Sequence, residues 1–257
     1  MARGLITLTT DFGLSDHYVG VMKGVILRHN PAARIVDLCH QIEPYDLVGA
    51  ALTLAASYPY FPEGTVHLVV VDPGVGAARR VIAAEAAGSL FLAPDNGVLE
   101  VVYQRHRHVV WALRTEEFAL QPTSNTFHGR DVFAPAAALL SQGTSSAQLG
   151  ALLEDYVRLD IPRPRRLDAE RLEGSVLKVD RFGNLITNLE PADLPPAFQI
   201  AIGGARIAAL HPNYAAAATG QVFAIQGSSG YIEISMKQAS AAATLGAGPG
   251  TPLEVRT

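Results

Sequence analysis

The chain contains a run of valines, Val69-Val70-Val71, that ends in Asp72 and passes directly into Pro73-Gly74-Val75-Gly76 and then Arg79-Arg80. Consecutive β-branched residues favour a strand, and a strand without polar alternation is one buried on both faces. Burial on both faces requires helices above and below, so this run points to an α/β layer fold with parallel strands. In open sheets of that kind ligands gather beyond the carboxyl ends of the strands. An acid at a strand end, a glycine turn and a guanidinium close by are suited to a site there. A second edge of similar chemistry, Leu8-Thr9-Thr10-Asp11-Phe12-Gly13, lies earlier in the chain.

Patterning extends this reading. Leu5–Thr10, Arg34–Leu38, Thr65–Val71, Val81–Ala84, Leu90–Leu92 and Val109–Leu113 read as strands. Tyr18–Leu27, Asp46–Tyr58, Val98–Arg105 and Asp131–Ser141 read as helices between them. Alternating strands and helices imply a largely parallel sheet with right-handed crossovers. Two prolines among arginines, Ile161-Pro162-Arg163-Pro164-Arg165-Arg166, mark a stiff linker. Beyond it come short strands at 175–179, 198–202, 206–210, 222–226, 231–235 and 253–256, with 239–250 as a loop. The expected organisation is an N-terminal α/β domain over 1–160, a linker over 161–172 and a smaller antiparallel, barrel-like β domain over 173–257.

Composition narrows the function classes. A net charge of −4 without like-charge runs disfavours nucleic acid and anionic membranes as partners. Cys39 is the only cysteine, so neither an intramolecular disulfide nor a cysteine-based metal site is available. No His-Glu-x-x-His pair and no acidic calcium loop occurs, so no metal is expected. Apolar runs are too short to span a bilayer and no signal-peptide pattern opens the chain, so the expectation is a cytoplasmic protein.

Several motifs carry polar chemistry, and each also has a plain structural reading. Asp11 and Asp16 suit a ribose diol, or a turn and a helix cap. Asp72 with Arg79 suits the holding of a water or an anion, or a salt bridge pinning the glycine loop. His128, in Phe127-His128-Gly129-Arg130-Asp131, suits proton handling or an ordinary loop position. In Asp180-Arg181-Phe182-Gly183-Asn184 the aromatic suits stacking on a planar ring and Asn184 a base edge or carboxylate; a hairpin turn is the alternative. Ser228 and Ser229, in a Gly/Ser turn, suit a carboxylate bound by backbone N–H groups, or again a hairpin.

In order and spacing Thr10-Asp11-Phe12-Gly13, Val71-Asp72-Pro73-Gly74-Val75-Gly76 with Arg79, Pro94-Asp95-Asn96-Gly97, Phe127-His128-Gly129-Arg130-Asp131 and the stretch from Asp180 to Asn188 closely resemble the S-adenosyl-L-methionine hydroxide adenosyltransferases, relatives of the fluorinase and chlorinase. The resemblance spans essentially the whole chain. It implies hydrolysis of S-adenosyl-L-methionine to adenosine and L-methionine with no cofactor, in a homotrimer whose active sites lie between subunits. By motif it makes Asp72, Arg79 and His128 the holders of the attacking water and Asp11 the ribose ligand. Asp16 and Asp180 become contacts to the methionine ammonium, Phe182 and Asn184 adenine contacts, and Ser228 and Ser229 the grip on methionine. Backbone near Lys237–Ala239 would read the adenine edge. Two alternatives remain at this level: a halogenase, and a non-catalytic S-adenosyl-L-methionine or adenosine binder. The fluorinase carries a long extra loop where Ala83–Leu92 is short here, and the halogenases have a neutral aromatic at the Asp72 position. A carboxylate 4 Å from a halide costs about 4 kcal/mol at an effective dielectric near 20, which argues for water.

Overall fold

The computed structural model describes residues 4–256, and the chain divides into two units between Leu159 and Asp160. The first unit comprises β1 (Leu5–Thr10), α1 (Tyr18–His29), β2 (Arg34–Cys39), α2 (Leu47–Ser57), β3 (Val66–Val70), β4 (Val81–Ala86), β5 (Ser89–Pro94), α3 (Glu100–Arg105), β6 (His108–Leu113), α4 (Ala134–Gln142), α5 (Ser146–Leu149) and β7 (Gly150–Leu152). Its strands form one sheet in the order β2-β1-β3-β5-β4-β6-β7. The first four are mutually parallel, whereas β4, β6 and β7 run antiparallel to their neighbours. The change of direction has a local cause. Ala87 and Gly88, both at positive φ (50° and 72°), make the two-residue turn that fits the twist of a tight hairpin.

The valine run behaves as its composition requires. Val66, Leu68 and Val70 pack with Ile6, Leu8, Met22 and Ile26 on one face of the sheet. Val69 and Val71 pack with Ala50, Leu54 and Phe91 on the other. α1 therefore covers one face and α2 the opposite one. β1 lies between β2 and β3, so the connections diverge at the β1/β3 boundary. That boundary is the topological switch point, where a crevice opens at the carboxyl ends of the two strands. Asp11 follows β1, and Asp72 follows β3 by one buried residue, Val71.

Pro94-Asp95-Asn96-Gly97 braces this edge. The Asn96 amide donates to the Val71 carbonyl at 2.9 Å. Asp95 accepts from Arg80 Nε at 2.7 Å and from the Val157 amide at 2.8 Å. Arg80 also binds the Asp155 carboxylate and carbonyl, at 2.7 and 2.8 Å. Buried Glu100 holds Arg158 through two 2.6 Å bonds. Residues 153–159 thus form a strap tied across the sheet edge.

The second unit comprises β8 (Arg165–Arg166), β9 (Arg171–Val179), β10 (Leu185–Thr187), β11 (Gln199–Ile202), β12 (Ala205–Ile207), β13 (Leu210–His211), β14 (Val222–Gln226), β15 (Ile232–Met236), α6 (Ala241–Leu245) and β16 (Pro252–Arg256). The sheet path is β12-β11-β16-β9-β10-β15-β14-β13, with β8 paired to β9. All pairings are antiparallel except β13 with β14. Residues 165–166 and 171–172, read from sequence as linker, belong to this sheet. The stretch read as a loop contains α6, because Ser240 caps it by accepting from the Ala243 amide at 3.0 Å. The helix read from Asp131 begins instead with a π-helical turn over Gly129–Phe133, and α4 follows. Among the described residues no helix is long and apolar enough to cross a membrane.

One buried group makes the fold acid-sensitive. His67, on β3, is fully buried, stacks on Phe91 and is bonded through Nδ1 to the Thr7 hydroxyl at 2.8 Å. Burial lowers its pKa to about 4. A folded pKa below the unfolded one means stability is intact above pH 6.5 and is lost as pH falls towards 4. Denaturant unfolding at pH 7.5 and pH 4 is expected to show a loss of about 3 kcal/mol from this group. The His67→Leu variant is expected to lose less over the same interval.

Candidate active site

At the switch point the loop after β3 folds back on itself. Arg79 Nε donates to both Asp72 oxygens, at 3.1 and 2.8 Å, and Nη2 donates to Oδ2 at 2.5 Å. Nη2 also lies 2.9 Å from His128 Nδ1. Arginine has no acceptor, so Nδ1 must accept, and the ring proton of the neutral imidazole sits on Nε2. The three residues singled out from separate parts of the sequence are therefore one hydrogen-bonded cluster. The Arg79 guanidinium additionally lies 5.3 Å from the centre of the Phe133 ring.

Local structure explains how His128 arrives. Gly76 sits at φ +82°, and a Cβ there would come 2.4 Å from the Asn125 carbonyl oxygen. Only glycine lets the loop after β3 approach the loop before His128 this closely. On the other side Asp131, buried, binds Arg130 at 2.5 and 2.8 Å and the Ser124 amide at 2.8 Å. Burial favours a protonated Asp131, but Arg130 and the Ser124 amide outweigh it and hold its pKa below the usual carboxylate range. His128 is shifted down by burial and by the Arg79 charge, against opposing pulls from Asp72 and Asp131. It is thus neutral at pH 7.

Asp72 and His128 line a cavity of about 330 Å³ with Asp11, Phe12, Tyr18 and Tyr45. Asp11 Oδ2 accepts from the Tyr45 amide at 3.0 Å, and Tyr45 is held at φ 68°. The loop carrying Asp11 is fixed by the Gly13 amide bonded to the His40 carbonyl at 2.7 Å, and by Thr10 Oγ1 at 2.9 Å from His40 Nδ1. Asp16 is placed elsewhere: it is exposed in the turn before α1 and is not part of this lining. The aromatic wall of Phe12, Tyr18 and Tyr45 was not legible in the sequence. Its one signal, a tyrosine in left-handed backbone, is conformational.

The second unit has its own cavity, of about 920 Å³, lined among others by Asp180, Phe182, Asn184, Ser228 and the segment Met236–Ser240. Asp180 Oδ1 accepts from the Phe182 and Asn184 amides at 2.9 and 2.8 Å, and Oδ2 accepts from Asn184 Nδ2 at 2.8 Å. Phe182 is 78% exposed at the cavity, an apolar ring offered to whatever enters. Ser229 is not in the lining; its hydroxyl is buried with no partner among the described residues. Tyr214 and Glu233 are among the residues at this cavity that escaped the sequence reading. Glu233 did leave a signal, being an acid inside Ile232-Glu233-Ile234, a strand segment buried on both faces. Among the described residues no group of three His, Cys, Asp or Glu side chains is arranged to hold a metal ion.

Residues 6–150 match the SAM hydroxide adenosyltransferase N-terminal domain, and residues 174–254 match the C-terminal domain of the same family. A protein from Thermus thermophilus named (R)-S-adenosyl-L-methionine hydrolase is 38% identical over 96% of this chain and 97% of its own length. A fluorinase from an Actinoplanes species is 29% identical over 75% of this chain and 74% of its own. The solved structure of an uncharacterized conserved protein from Thermotoga maritima superposes with a TM-score of 0.90, at 34% identity, covering 98% of this chain and all (100%) of that one. With both domains matched in order across most of its length, the chain belongs to the SAM hydroxide adenosyltransferase family.

Proposed function

We propose that this protein hydrolyses S-adenosyl-L-methionine to adenosine and L-methionine, by in-line attack of water or hydroxide on the ribose C5′. The observation that carries this reading is the hydrogen-bonded Asp72–Arg79–His128 cluster, of which Asp72 and His128 line the switch-point cavity with Asp11 and Arg79 lies outside that lining. The C5′–O bond forms as the C5′–S bond breaks, and the sulfonium leaves as the neutral thioether of methionine. That leaving group needs no proton, so the protein's task is to strip, hold and aim the nucleophile. The proposal invokes no cofactor. Arg79 pairs with both Asp72 and His128 and so fixes the two side chains that face the cavity. Asp72 has lone-pair capacity left to accept a water proton and pass it to solvent. His128 Nε2–H orients the water oxygen. A halide in the same place would meet the Asp72 carboxylate, whereas water donates to it.

Asp11 would bind the ribose diol. Phe182 would stack on adenine and Asn184 bond its edge, with backbone of Lys237–Ala239 alongside. Asp16 and Asp180 would meet the methionine ammonium, and Ser228 and Ser229 its carboxylate. The ribose and triad groups lie in the first unit and the adenine groups in the second, which fits a homotrimer of this small-molecule enzyme with each site formed between neighbouring subunits. The sulfonium configuration in the Thermus thermophilus relative's name is extended to this chain, so the (R) epimer is the proposed substrate.

Incubating the protein with an epimeric mixture in ¹⁸O-labelled water, followed by mass spectrometry, is expected to place label in the adenosine 5′-hydroxyl and to consume the (R) epimer. Unlabelled adenosine, or 5′-chloro-5′-deoxyadenosine formed with added chloride, would overturn hydrolysis. Asp72→Ala, Arg79→Ala and His128→Ala are each expected to lower kcat about 100- to 10,000-fold with little change in KM. Protonating His128 gives Nδ1 a hydrogen that opposes the Arg79 donor. Its lowered pKa therefore puts the acid limb of the kcat/KM profile below pH 6.5. For the shared site, mixing Asp72→Ala and Asn184→Ala subunits under exchange conditions, at a low substrate concentration where each alone is impaired, is expected to restore part of the activity. Sites contained within one subunit would give none.

A further inference from the structure

The second unit's cavity carries a network that joins two residues without a role in the proposed reaction, Glu233 and Tyr214, to Asn184 and Asp180. Glu233, on β15, is 7% exposed, and its Oε2 accepts from the Tyr214 hydroxyl at 3.1 Å. The Tyr214 oxygen lies 3.4 Å from Asn184 Nδ2, and that nitrogen donates to Asp180 Oδ2 at 2.8 Å. The carboxyl is packed in place. A Cβ on Gly227 would come 1.8 Å from Glu233 Oε1, so only glycine there leaves room for the acid. Burial raises the Glu233 pKa, Asp180 adds to the shift, and the Tyr214 hydrogen bond opposes it. A buried acid on a strand is costly unless something depends on it.

The network fixes one orientation. Asp180 also accepts two backbone amides, so the Asn184 atom facing it must be the donor Nδ2. The Tyr214 hydroxyl donates to Glu233 and so offers Asn184 only an acceptor, which again selects Nδ2. Both neighbours therefore oppose an amide flip, and Oδ1 is the group left over at a cavity-lining residue. A fixed carbonyl oxygen accepts hydrogen bonds and cannot donate them.

We propose that Glu233 and Tyr214 are positioning residues that lock the Asn184 amide with its carbonyl oxygen toward the ligand, so that the site selects a purine bearing an exocyclic amine over its 6-oxo counterpart. This rests on the assignment of the cavity to the nucleoside. An amine donates to Oδ1, whereas a 6-oxo group sets two acceptors face to face. Sites built around one hydrogen bond reject the analogue that cannot make it far more strongly than apolar pockets reject a change of size.

Calorimetric titration of the full-length protein with adenosine and with inosine tests this without requiring turnover, so a failure of the hydrolase reading leaves the result interpretable. The wild-type protein is expected to bind adenosine at least 100-fold more tightly. Tyr214→Phe, at a half-exposed ring, is expected to lower that ratio ten-fold or more, mainly by weakening adenosine. Glu233→Gln keeps an acceptor for the Tyr214 hydroxyl and is expected to change the ratio less than three-fold, whereas Glu233→Leu is expected to match Tyr214→Phe. A wild-type ratio near one, or a ratio unchanged in Tyr214→Phe, overturns the proposal. If Glu233→Leu does not fold, the Tyr214→Phe ratio decides alone. In the active enzyme the same variants are expected to raise KM and spare kcat, which separates them from loss at the triad.

Discussion

The ion pair between Asp72 and Arg79 is the interaction on which the first unit's site depends. Both side chains are nearly buried, at 5% and 12% exposure. A buried pair seldom stabilises a fold better than apolar side chains would, but removing one partner strands the other at a cost of about 3–5 kcal/mol. The surroundings are built to keep the pair whole. The valine run delivers Asp72 to the sheet edge, Asn96 pins the carbonyl just before it, and Gly76 lets the arginine loop meet the His128 loop. His128 then completes Arg79 by accepting its remaining Nη2 contact. An arrangement this dependent on glycines and exact approach is one the fold maintains for chemistry rather than for stability.

Much of this was legible in the residues because β-branched runs, glycine turns and acids at strand ends have few alternative uses. The valine run implied a strand buried on both faces, and it is one. Asp72, Arg79 and His128 were each ambiguous alone and became informative as an ordered set. The parts that escaped are those set by tertiary contact. The antiparallel half of the first sheet follows from a two-residue turn whose first position is an alanine at positive φ, which no propensity favours. The π-helical turn before α4 is similar, since its sequence reads as ordinary helix. Asp16, whose place after a strand suggested a ligand contact, lies exposed in the turn before α1 and outside the cavity lining.

The two cavities divide the physical work differently. In the first unit charge is concentrated and nearly neutralised in place, which suits holding a small polar nucleophile. In the second, an exposed aromatic ring and a directed amide surround a larger space, which suits recognising a planar heterocycle. The acid in each is also used differently. Asp72 is paired with a cation, whereas Asp180 spends its oxygens on backbone and amide hydrogens and Glu233 is met by a phenol.

The neighbouring arginines of the loop after β3 point to a coupling. Arg79 joins Asp72 and His128, while Arg80 clasps Asp95 and the strap at Asp155. Adjacent residues on one short loop share its backbone, so the contacts of Arg80 and those of Arg79 constrain the same few peptide units. The strap ends at Leu159, where the first unit gives way to the second. The loop that bears Arg79 and the end of the first unit are thus joined by side-chain contacts that involve no ligand.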